Sequence, residues 1–192
     1  MFESLENIDQ ALLLKINGWH SPSADSFFWW VSEGWIFIPL WLFLSIYIFK
    51  IKKTVFFLTA ILCIIFTIIC CDQSSNLMKN SVQRYRPTHH LLIREKVHIV
   101  NNYKGGQFGF FSGHSANTFG VATFLFLCLK WVHRKYRYFI FLWPVLVGYS
   151  RIYLGVHYPA DIFFGALDGC IFGIIFYQVF KLLLRKFNIE NE

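Results

Sequence analysis

Three short motifs in this chain combine basic residues with two histidines, and they define the chemistry that its side chains could perform. In chain order they read Lys79-x6-Arg86-Pro87, Ser112-Gly113-His114 and Ser150-Arg151-x5-His157-x3-Asp161. Lys79, Arg86 and Arg151 supply the positive charge that a bound phosphate needs. His157 beside Asp161 has the composition of an activated nucleophile, and the other histidine can supply or remove a proton. The motifs therefore predict a phosphatase.

The composition predicts that these motifs lie in a membrane protein. The chain has 192 residues, of which 56% are hydrophobic, 20% aromatic and only 15% charged. Such a chain is too apolar for a soluble domain, so residues 1–192 are expected to form a single integral-membrane domain. The net charge is +7, but the basic residues fall between apolar runs and form no stripe with interleaved aromatic residues. This pattern argues against nucleic-acid binding.

The five cysteines indicate neither a disulfide framework nor a metal site. All of them lie inside apolar segments, without the spacing of a zinc or redox motif. They are interpreted as small buried hydrophobic side chains: Cys63, Cys70, Cys71, Cys128 and Cys170. No metal and no cofactor is predicted.

Hydropathy predicts an all-α bundle of about five transmembrane helices, preceded by an interfacial helix within residues 1–26. Residues 2–19 mix leucine and isoleucine with acidic residues at helical spacing, which suits a membrane surface. The acidic start is unlike a cleaved signal peptide. The apolar segments that follow are residues 27–49, 54–71, 115–129, 138–153 and 161–184. The third and fourth are shorter than the roughly twenty residues of a full crossing, so their outer ends are expected below the membrane surface.

The positive charges outside the motifs predict the orientation of the bundle. They follow the first and fifth segments and fill the connection between the third and the fourth: Lys50, Lys52, Lys53, Lys130, Arg134, Lys135, Arg137, Lys181, Arg185 and Lys186. The positive-inside rule places these residues and the C-terminus in the cytoplasm. Alternation then predicts that residues 79–114 form an extracytoplasmic active-site loop. All three motifs are expected at this outer face.

The first motif is expected at the end of the second membrane helix. Because Lys79 and Arg86 are seven residues apart, a continuing helix would place both on one face, and Pro87 would end it. Arg84 falls off that face and is expected to contact lipid head groups or the periphery of the substrate. A collar of cations that reach toward the membrane surface is the alternative explanation, but it does not account for the accompanying histidines.

The second motif opens the third segment, where free backbone N–H groups and the helix dipole favour an anion. Ser112 as an ordinary N-cap followed by a flexible Gly113 would explain two of its residues equally well. His114 favours the functional interpretation, because a histidine beside bound phosphate can protonate a leaving oxygen.

The third motif spans a helix end and the following helix start. Arg151 and His157 do not share one helical face, so the fourth helix is expected to end near Gly155, and Pro159 suits the first turn of the next helix. Asp161 lies four residues after His157 and can fix the tautomer of its imidazole. A purely structural His-Asp hydrogen bond is the alternative.

Other polar residues of the chain are given supporting roles. Asp72 and Asp168 are expected to face the bundle interior and to pair with a motif cation or a polar neighbour, because intramembrane carboxylates are costly. His89 and His90 are interpreted as a solvated pair in the outer loop. The glycine-rich stretch at residues 105–109 is interpreted as turns with some lid mobility.

The ordered set of motifs resembles the type 2 phosphatidic acid phosphatase family, which is related to acid phosphatases and vanadium haloperoxidases. The resemblance covers about residues 72–175, and Phe111 stands where the family usually has proline. It implies that His157 attacks phosphorus and forms a phosphohistidine, which water then hydrolyses, while Asp161 holds the imidazole in line and His114 protonates the leaving group. It also implies no required metal and a phosphoryl-binding set: Lys79, Arg86, Ser112, Gly113, His114 and Arg151.

The predicted substrate is a phosphate or diphosphate whose lipid tail stays in the bilayer. The small size and five segments look like bacterial undecaprenyl diphosphate phosphatases of the inner membrane, which makes undecaprenyl diphosphate the first expectation. The stretches at residues 86–90 and 103–106 look like a branch that includes lipid A phosphatases. Lipid A, phosphatidylglycerol phosphate and phosphatidic acid therefore remain open as substrates.

Two other protein classes fit parts of the pattern. A vanadium haloperoxidase would use the same cations to hold vanadate on His157, but such enzymes are typically soluble. A non-catalytic membrane protein that binds or transports lipid would explain the membrane segments without needing either histidine. Oligomeric state is not predicted.

Overall fold

The computed structural model describes residues 2–52 and 54–186, and within them it confirms an all-α architecture. The α-helices are α1 (Phe2–Asn17), α2 (Pro22–Glu33), α3 (Ile38–Ile51), α4 (Thr54–Val82), α5 (Gly113–Cys128), α6 (Arg134–Arg137), α7 (Leu142–Tyr153) and α8 (Pro159–Lys186). Short 3-10 segments occupy Trp35–Phe37, Pro87–His89, Arg94–Lys96, Val100–Asn102 and Tyr138–Phe141. Lys53, which belongs to the predicted cytoplasmic charges, and the C-terminal residues 187–192 lie outside the described residues.

The first predicted membrane segment, residues 27–49, is not one continuous helix. The pair formed by α2 and residues 35–51 is bent by 69° at Gly34, which has a φ of 80°. This left-handed conformation ends α2, and the N–H of Gly34 donates to the carbonyl of Val31. Within the described residues, two helices, α4 and α8, are long and apolar enough to cross a membrane, or three if the bent pair counts as one span.

The third and fourth segments are short, as the sequence predicted. α5 has 16 residues and α7 has 12, with the 3-10 turn Tyr138–Phe141 leading into α7. Most of α5 is buried. These short helices are therefore packed against neighbouring helices, which leaves their outer ends available to build a site.

α5 and α8 pack with their backbones in close contact. Gly165, Gly169 and Gly173 lie one turn apart along α8, and they face the backbone of α5. A Cβ added at Gly169 would lie 2.1 Å from the carbonyl oxygen of Ala116. Small residues at a spacing of four allow this approach between membrane helices. The contact continues to the outer end, where Ser115 Oγ donates to the carbonyl of Ile162 at 2.7 Å.

The predicted cytoplasmic charges gather at one end of the bundle. The Lys52 ammonium lies over the Trp131 ring, 4.9 Å from its centre. Lys130 and Lys181 both lie over Tyr177, each 5.3 Å from the ring centre. Basic residues from three distant parts of the chain therefore share one end of the molecule, opposite the motifs.

The five cysteines are free in the structure. Cys63, Cys71 and Cys128 are buried, and Cys70 and Cys170 are partly buried. Three of the five therefore fill the core like small apolar residues.

α1 packs on the outer end of α7 and α8 with one face and exposes the other. Leu5, Ile8 and Leu12 are exposed, whereas Leu13 and Asn17 are buried. The Asn17 amide donates to the carbonyl oxygens of two distant residues, His98 at 2.9 Å and Tyr153 at 2.7 Å. α1 is thereby attached both to the outer loop and to the end of α7.

Candidate active site

The three motif cations come together from separate elements. Lys79 lies in the last turn of α4, Arg86 follows that helix, and Arg151 lies near the end of α7. Among the described residues, no ion pair engages any of them with a carboxylate. We refer to Lys79, Arg86 and Arg151 as the three-cation cluster.

The predicted helical stacking of Lys79 and Arg86 is wrong. α4 ends at Val82, because Gln83 adopts a φ of 52°, and Arg86 is extended with a ψ of 155°. The extended stretch pairs with the glycine-rich segment instead, since the N–H of Arg86 donates to the carbonyl of Gln107 at 3.0 Å. Pairing across the outer loop, and not one helical face, therefore places Arg86.

The two arginines of the cluster are buried and held by neutral acceptors. Arg86 is 9% exposed, and its Nε donates to the carbonyl of Phe108 at 3.1 Å. Arg151 is 2% exposed; it donates to Ser32 Oγ and, at 3.2 Å, to the hydroxyl of Tyr103. These bonds fix the guanidinium groups without neutralising their charge. Such buried, uncompensated cations are arranged to receive an anion.

His157 lies beside the cluster at the start of α8. Its side chain is buried, and Nδ1 lies 3.3 Å from Asp161 Oδ2. α7 ends at Tyr153, Gly155 has a φ of 71°, and α8 begins at Pro159, as the sequence predicted. The turn between the two helices therefore presents the imidazole with Nδ1 toward the carboxylate and leaves Nε2 for another partner.

Burial and the cations keep the imidazole neutral. Burial lowers the pKa of His157 well below its usual value, and the charges of Arg86 and Arg151 lower it further. Burial likewise lowers the pKa of Arg86, with Arg151 as the next cause. A neutral imidazole retains the lone pair that a nucleophile requires.

The second motif forms the start of α5. Ser112 is fully buried and acts as the N-cap, because its Oγ accepts from the N–H of Ser115 at 3.4 Å. The N–H of Ser112 donates to the carbonyl of Asp161 at 3.0 Å. A Cβ at Gly113 would lie 3.6 Å from Lys79 Nζ. Ser112 therefore caps the helix, and the adjacent Gly113 lies close to the Lys79 ammonium.

His114 joins the same group from the first turn of α5. Part of His114 reaches the protein surface, unlike His157, but burial of the imidazole among its neighbours still lowers its pKa well below the usual value. The charges of Arg151, Arg86 and Lys79 act on both histidines. The structure therefore brings all three motifs together.

The sequence predicted that Arg84 would contact lipid head groups or the periphery of the substrate, but the structure shows it bonded to carboxylates within the protein. Its guanidinium bonds three carboxylates, those of Glu6, Asp9 and Asp161, at 2.7 to 2.8 Å. The ion partners on α1 are more than seventy residues away in the chain. We refer to Arg84, Glu6, Asp9 and Asp161 as the Arg84 cluster.

The glycine-rich stretch contributes to the site more than its interpretation as turns indicated. A Cβ at Gly109 would lie 3.0 Å from Arg86 Cγ, 3.3 Å from Asp161 Oδ2 and 3.6 Å from His157 Nδ1. A Cβ at Gly105 would lie 2.6 Å from an Arg86 terminal nitrogen. Only glycine at these positions allows the segment to cover the arginine and the histidine so closely.

The remaining polar residues support the scaffold. Asp72 accepts from the Asn117 amide at 2.8 Å, and Asp168 accepts from Ser74 Oγ at 2.8 Å, so both pair with polar neighbours. His89 Nδ1 lies 3.0 Å from Thr88 Oγ1 and does not enter the motif group. In the described part of the chain, no cluster of three or more His, Cys, Asp or Glu side chains is arranged to hold a metal ion.

The sequence matches the family model of the PAP2 superfamily over residues 53–185. It is 39% identical to a lipid A 4′-phosphatase of Bacteroides thetaiotaomicron, across the whole of this chain and 85% of that protein. It is 33% identical to a lipid A 4′-phosphatase of Porphyromonas gingivalis, across 93% of this chain and 75% of that protein.

Solved structures show the same fold. The LpxE protein of Aquifex aeolicus aligns with a TM-score of 0.65 at 29% identity, covering 88% of this chain and 93% of that one. A PAP2-type phosphatidylglycerolphosphate phosphatase of Bacillus subtilis aligns with a TM-score of 0.63 at 24% identity, covering 95% of this chain and 87% of that one. The chain therefore belongs to the PAP2 superfamily and is a membrane lipid phosphatase.

Proposed function

We propose that this protein hydrolyses the 4′-phosphate of lipid A. The substrate is proposed from the similarity to two proteins named for that reaction. The similarity extends over at least 93% of this chain and at least 75% of each of those proteins. Undecaprenyl diphosphate, the first expectation from the sequence, is the alternative substrate. The similarity favours lipid A because it includes the outer loop and α1 as well as the motifs.

In the proposed reaction, His157 is the nucleophile. Its Nε2 attacks phosphorus, since Nδ1 is turned toward Asp161. The bond between phosphorus and the sugar oxygen breaks, and His114 gives its proton to that oxygen. Water then attacks the phosphohistidine and yields a proton to His114, releasing inorganic phosphate and the neutral imidazole. Burial, followed by the charge of Arg151 and the other nearby cations, lowers the pKa of His114 in the ligand-free protein. The negative charge of the bound phosphate offsets those cations, so that His114 can hold the proton that it donates.

The three-cation cluster would bind the phosphoryl oxygens, together with Ser112 and Gly113 at the start of α5. Lys79, Arg86 and Arg151 have no carboxylate partner among the described residues, so their charge is available to the substrate. Negative charge on the phosphoryl oxygens in the transition state is stabilised by such fixed donors in a site that excludes water. The mechanism as proposed requires no metal.

We further propose that the site faces the periplasm from the inner membrane and that the C-terminus is cytoplasmic. Lys52 directly after α3, Lys130 before α7 and Lys181 in α8 share the opposite end of the bundle. The positive-inside rule places that end in the cytoplasm. A lipid tail can then remain in the bilayer while its phosphate reaches the site.

The test measures phosphate release by the purified protein in detergent, with EDTA present. The substrates are lipid A, undecaprenyl diphosphate, phosphatidylglycerol phosphate and phosphatidic acid, and mass spectrometry identifies which lipid A phosphate is lost. We expect release from the 4′ position, at least about tenfold faster than from the other lipids. Faster release from another lipid would replace the proposed substrate, and no release from any of them would remove the proposal.

Two matched variants accompany this test. His157→Ala is expected to abolish release, because it removes the nucleophile. His133→Ala makes the same chemical change at an exposed position near the opposite end and should leave release unchanged. Equal loss in both variants would indicate damage to the fold and not to the mechanism.

A further inference from the structure

We propose that Arg84 is a positioning residue of the phosphatase reaction, which holds the Asp161 carboxylate so that Asp161 can orient His157. This inference rests on the proposed function, because it assigns Arg84 a role in that reaction. Arg84 lies only two residues from Arg86, yet it bonds carboxylates, whereas Arg86 bonds backbone carbonyls.

The Arg84 guanidinium forms hydrogen bonds to two helices, α8 and α1. Nη1 donates to Asp161 Oδ1 at 2.8 Å, at the start of α8. Nη2 donates to Glu6 Oε2 at 2.8 Å and to Asp9 Oδ2 at 2.7 Å, both on α1. A single planar group thus connects α1 to the carboxylate behind the nucleophile. Charge-assisted bonds of this kind are strong and directional.

The hydrogen bond from Arg84 orients the Asp161 carboxylate relative to the His157 imidazole. One carboxylate oxygen, Oδ1, is taken by Arg84. The other, Oδ2, accepts from the N–H of Tyr158 at 3.0 Å and lies 3.3 Å from His157 Nδ1. Asp161 is completely buried, so bulk water does not compete with Arg84 for Oδ1 in the native structure. Without Arg84, the carboxylate would lose the contact that keeps Oδ2 turned toward the imidazole.

α1 holds Arg84 in position. Asp9 accepts from the N–H of Ala160 at 2.9 Å as well as from Arg84, so it also fixes the first turn of α8. The guanidinium lies 4.0 Å from the ring centre of Tyr158. Burial acts against the charged form of Arg84, but Asp161 and Asp9 outweigh it and raise the pKa of the guanidinium. Arg84 therefore stays charged.

Arg84 is placed to act through Asp161 and not on the phosphate. Both terminal nitrogens are engaged by carboxylates, whereas Arg86 and Arg151 bond only neutral acceptors. The cations that most affect His157 are Arg86, Arg151 and Lys79. The predicted consequence of losing Arg84 is a slower chemical step with little change in phosphate binding.

The experiment compares Arg84→Gln and Arg84→Lys with the control Arg94→Gln in the full-length protein. Arg94 is an exposed outer-loop arginine that pairs with Glu95. We expect Arg84→Gln to lower kcat at least about tenfold while KM changes less than about threefold. Arg84→Lys keeps the charge but cannot bridge both elements, so its kcat should be intermediate. Arg94→Gln should match the wild type.

Two further measurements separate positioning from a purely structural role. Inhibition by inorganic phosphate should be unchanged in Arg84→Gln, because Arg84 does not contact the phosphoryl group, and weakened in Arg86→Gln. In single-turnover reactions, adding Arg84→Gln to Asp161→Asn should lower the rate no further, since the carboxylate it positions is already gone. If Arg84→Gln does not fold, Arg84→Lys and Glu6→Gln replace it in both measurements.

The outcomes distinguish this inference from the proposed function. A wild-type protein without phosphatase activity on any lipid would remove both. An active wild type with a folded Arg84→Gln variant that keeps its kcat within about twofold would overturn only the positioning role. The positioning role would also be overturned if Arg84→Gln lowered the single-turnover rate of the Asp161→Asn variant as much as that of the wild type. Weaker inhibition of Arg84→Gln by inorganic phosphate would overturn it as well.

Discussion

The three-cation cluster and the Arg84 cluster both lie beside the His157–Asp161 pair, but the arginines of the two clusters have different hydrogen-bond partners. Arg86 and Arg151 are buried with neutral acceptors, and the described residues offer them no carboxylate. Arg84 is partly buried, with 16% of its side chain exposed, and it bonds three carboxylates. Residues of the same type, two positions apart, therefore have different electrostatic roles.

The difference indicates which cations are available to a ligand. A buried cation without an anionic partner is costly to the folded protein, and binding a phosphate would offset that cost. A cation that already bonds three carboxylates does not carry this cost, so binding a phosphate would not stabilise it in the same way. The balance of charge around each arginine, and not the residue type or its place in a motif, separates a substrate-binding role from a positioning role.

The largest effect is expected from removing one cation of the three-cation cluster. Arg86→Gln and Arg151→Gln should each lower kcat/KM by about a thousandfold, because each removes charge from the proposed phosphoryl site. Steady-state hydrolysis of lipid A measures this. Arg134→Gln, at an exposed position far from the motifs, is the control. If kcat/KM fell less than tenfold in both variants, the proposed difference in role between these two arginines and Arg84 would be wrong.

A smaller effect is expected where the glycine-rich segment touches both clusters. Gly109→Ala places a Cβ 3.0 Å from Arg86 Cγ and 3.3 Å from Asp161 Oδ2, so the side chains on both sides must shift. We expect kcat to fall by about ten- to a hundredfold, as for displaced catalytic groups. Gly106→Ala meets no atom within 4 Å and should be as active as the wild type. Similar activity in the two variants would show that the segment tolerates displacement.

The pH dependence of stability should report the burial of His157 and, after it, the charge of the neighbouring cations. Burial, Arg86 and Arg151 lower the pKa of His157 in the folded protein, so the unfolded chain binds a proton first as pH falls. The contribution is complete above about pH 6.5 and is lost below it, by up to about 1.4 kcal/mol per pH unit. Thermal unfolding between about pH 7 and pH 5 should therefore be less pH-dependent in His157→Gln than in the wild type. An equal pH dependence of thermal unfolding in the two proteins would contradict a neutral His157 imidazole.

The smallest effect is expected outside both clusters. Ser74→Ala leaves Asp168 without its hydroxyl partner and should lower the free energy of unfolding by about 1 to 2 kcal/mol. Activity at saturating substrate should stay within about twofold of the wild type. Ser81→Ala removes an exposed hydroxyl bonded to the carbonyl of Leu77 and is the control for stability. A large loss of activity in Ser74→Ala would extend the site beyond the two clusters.

The sequence predicted the three-cation cluster because its residues have a fixed order and spacing. The helix end near Gly155 and the helix start at Pro159 followed from the properties of those residues, and the structure confirms both. The break at Gly34 was missed, although the polar residues Ser32 and Glu33 before it interrupt the apolar run. The end of α4 was unpredictable, since it depends on a left-handed Gln83.

The Arg84 cluster could not be predicted from the sequence. Its partners Glu6 and Asp9 are separated from Arg84 by most of the first half of the chain, and only the packing of α1 on α8 brings them together. The close approach of α5 and α8 did leave a signal. Gly165, Gly169 and Gly173 are spaced by four residues, which is typical of close helix contacts in membranes.

Trapping the phosphorylated enzyme tests the central claim most directly. The purified protein is mixed with lipid A carrying labelled 4′-phosphate, quenched in base within the first turnover, and mapped by mass spectrometry. We predict a transient label on His157 that disappears as phosphate is released, no label in His157→Ala, and a lower maximum in Arg84→Gln because formation of the intermediate is slowed. A label on another residue, or turnover at the wild-type rate by His157→Ala, would contradict the account.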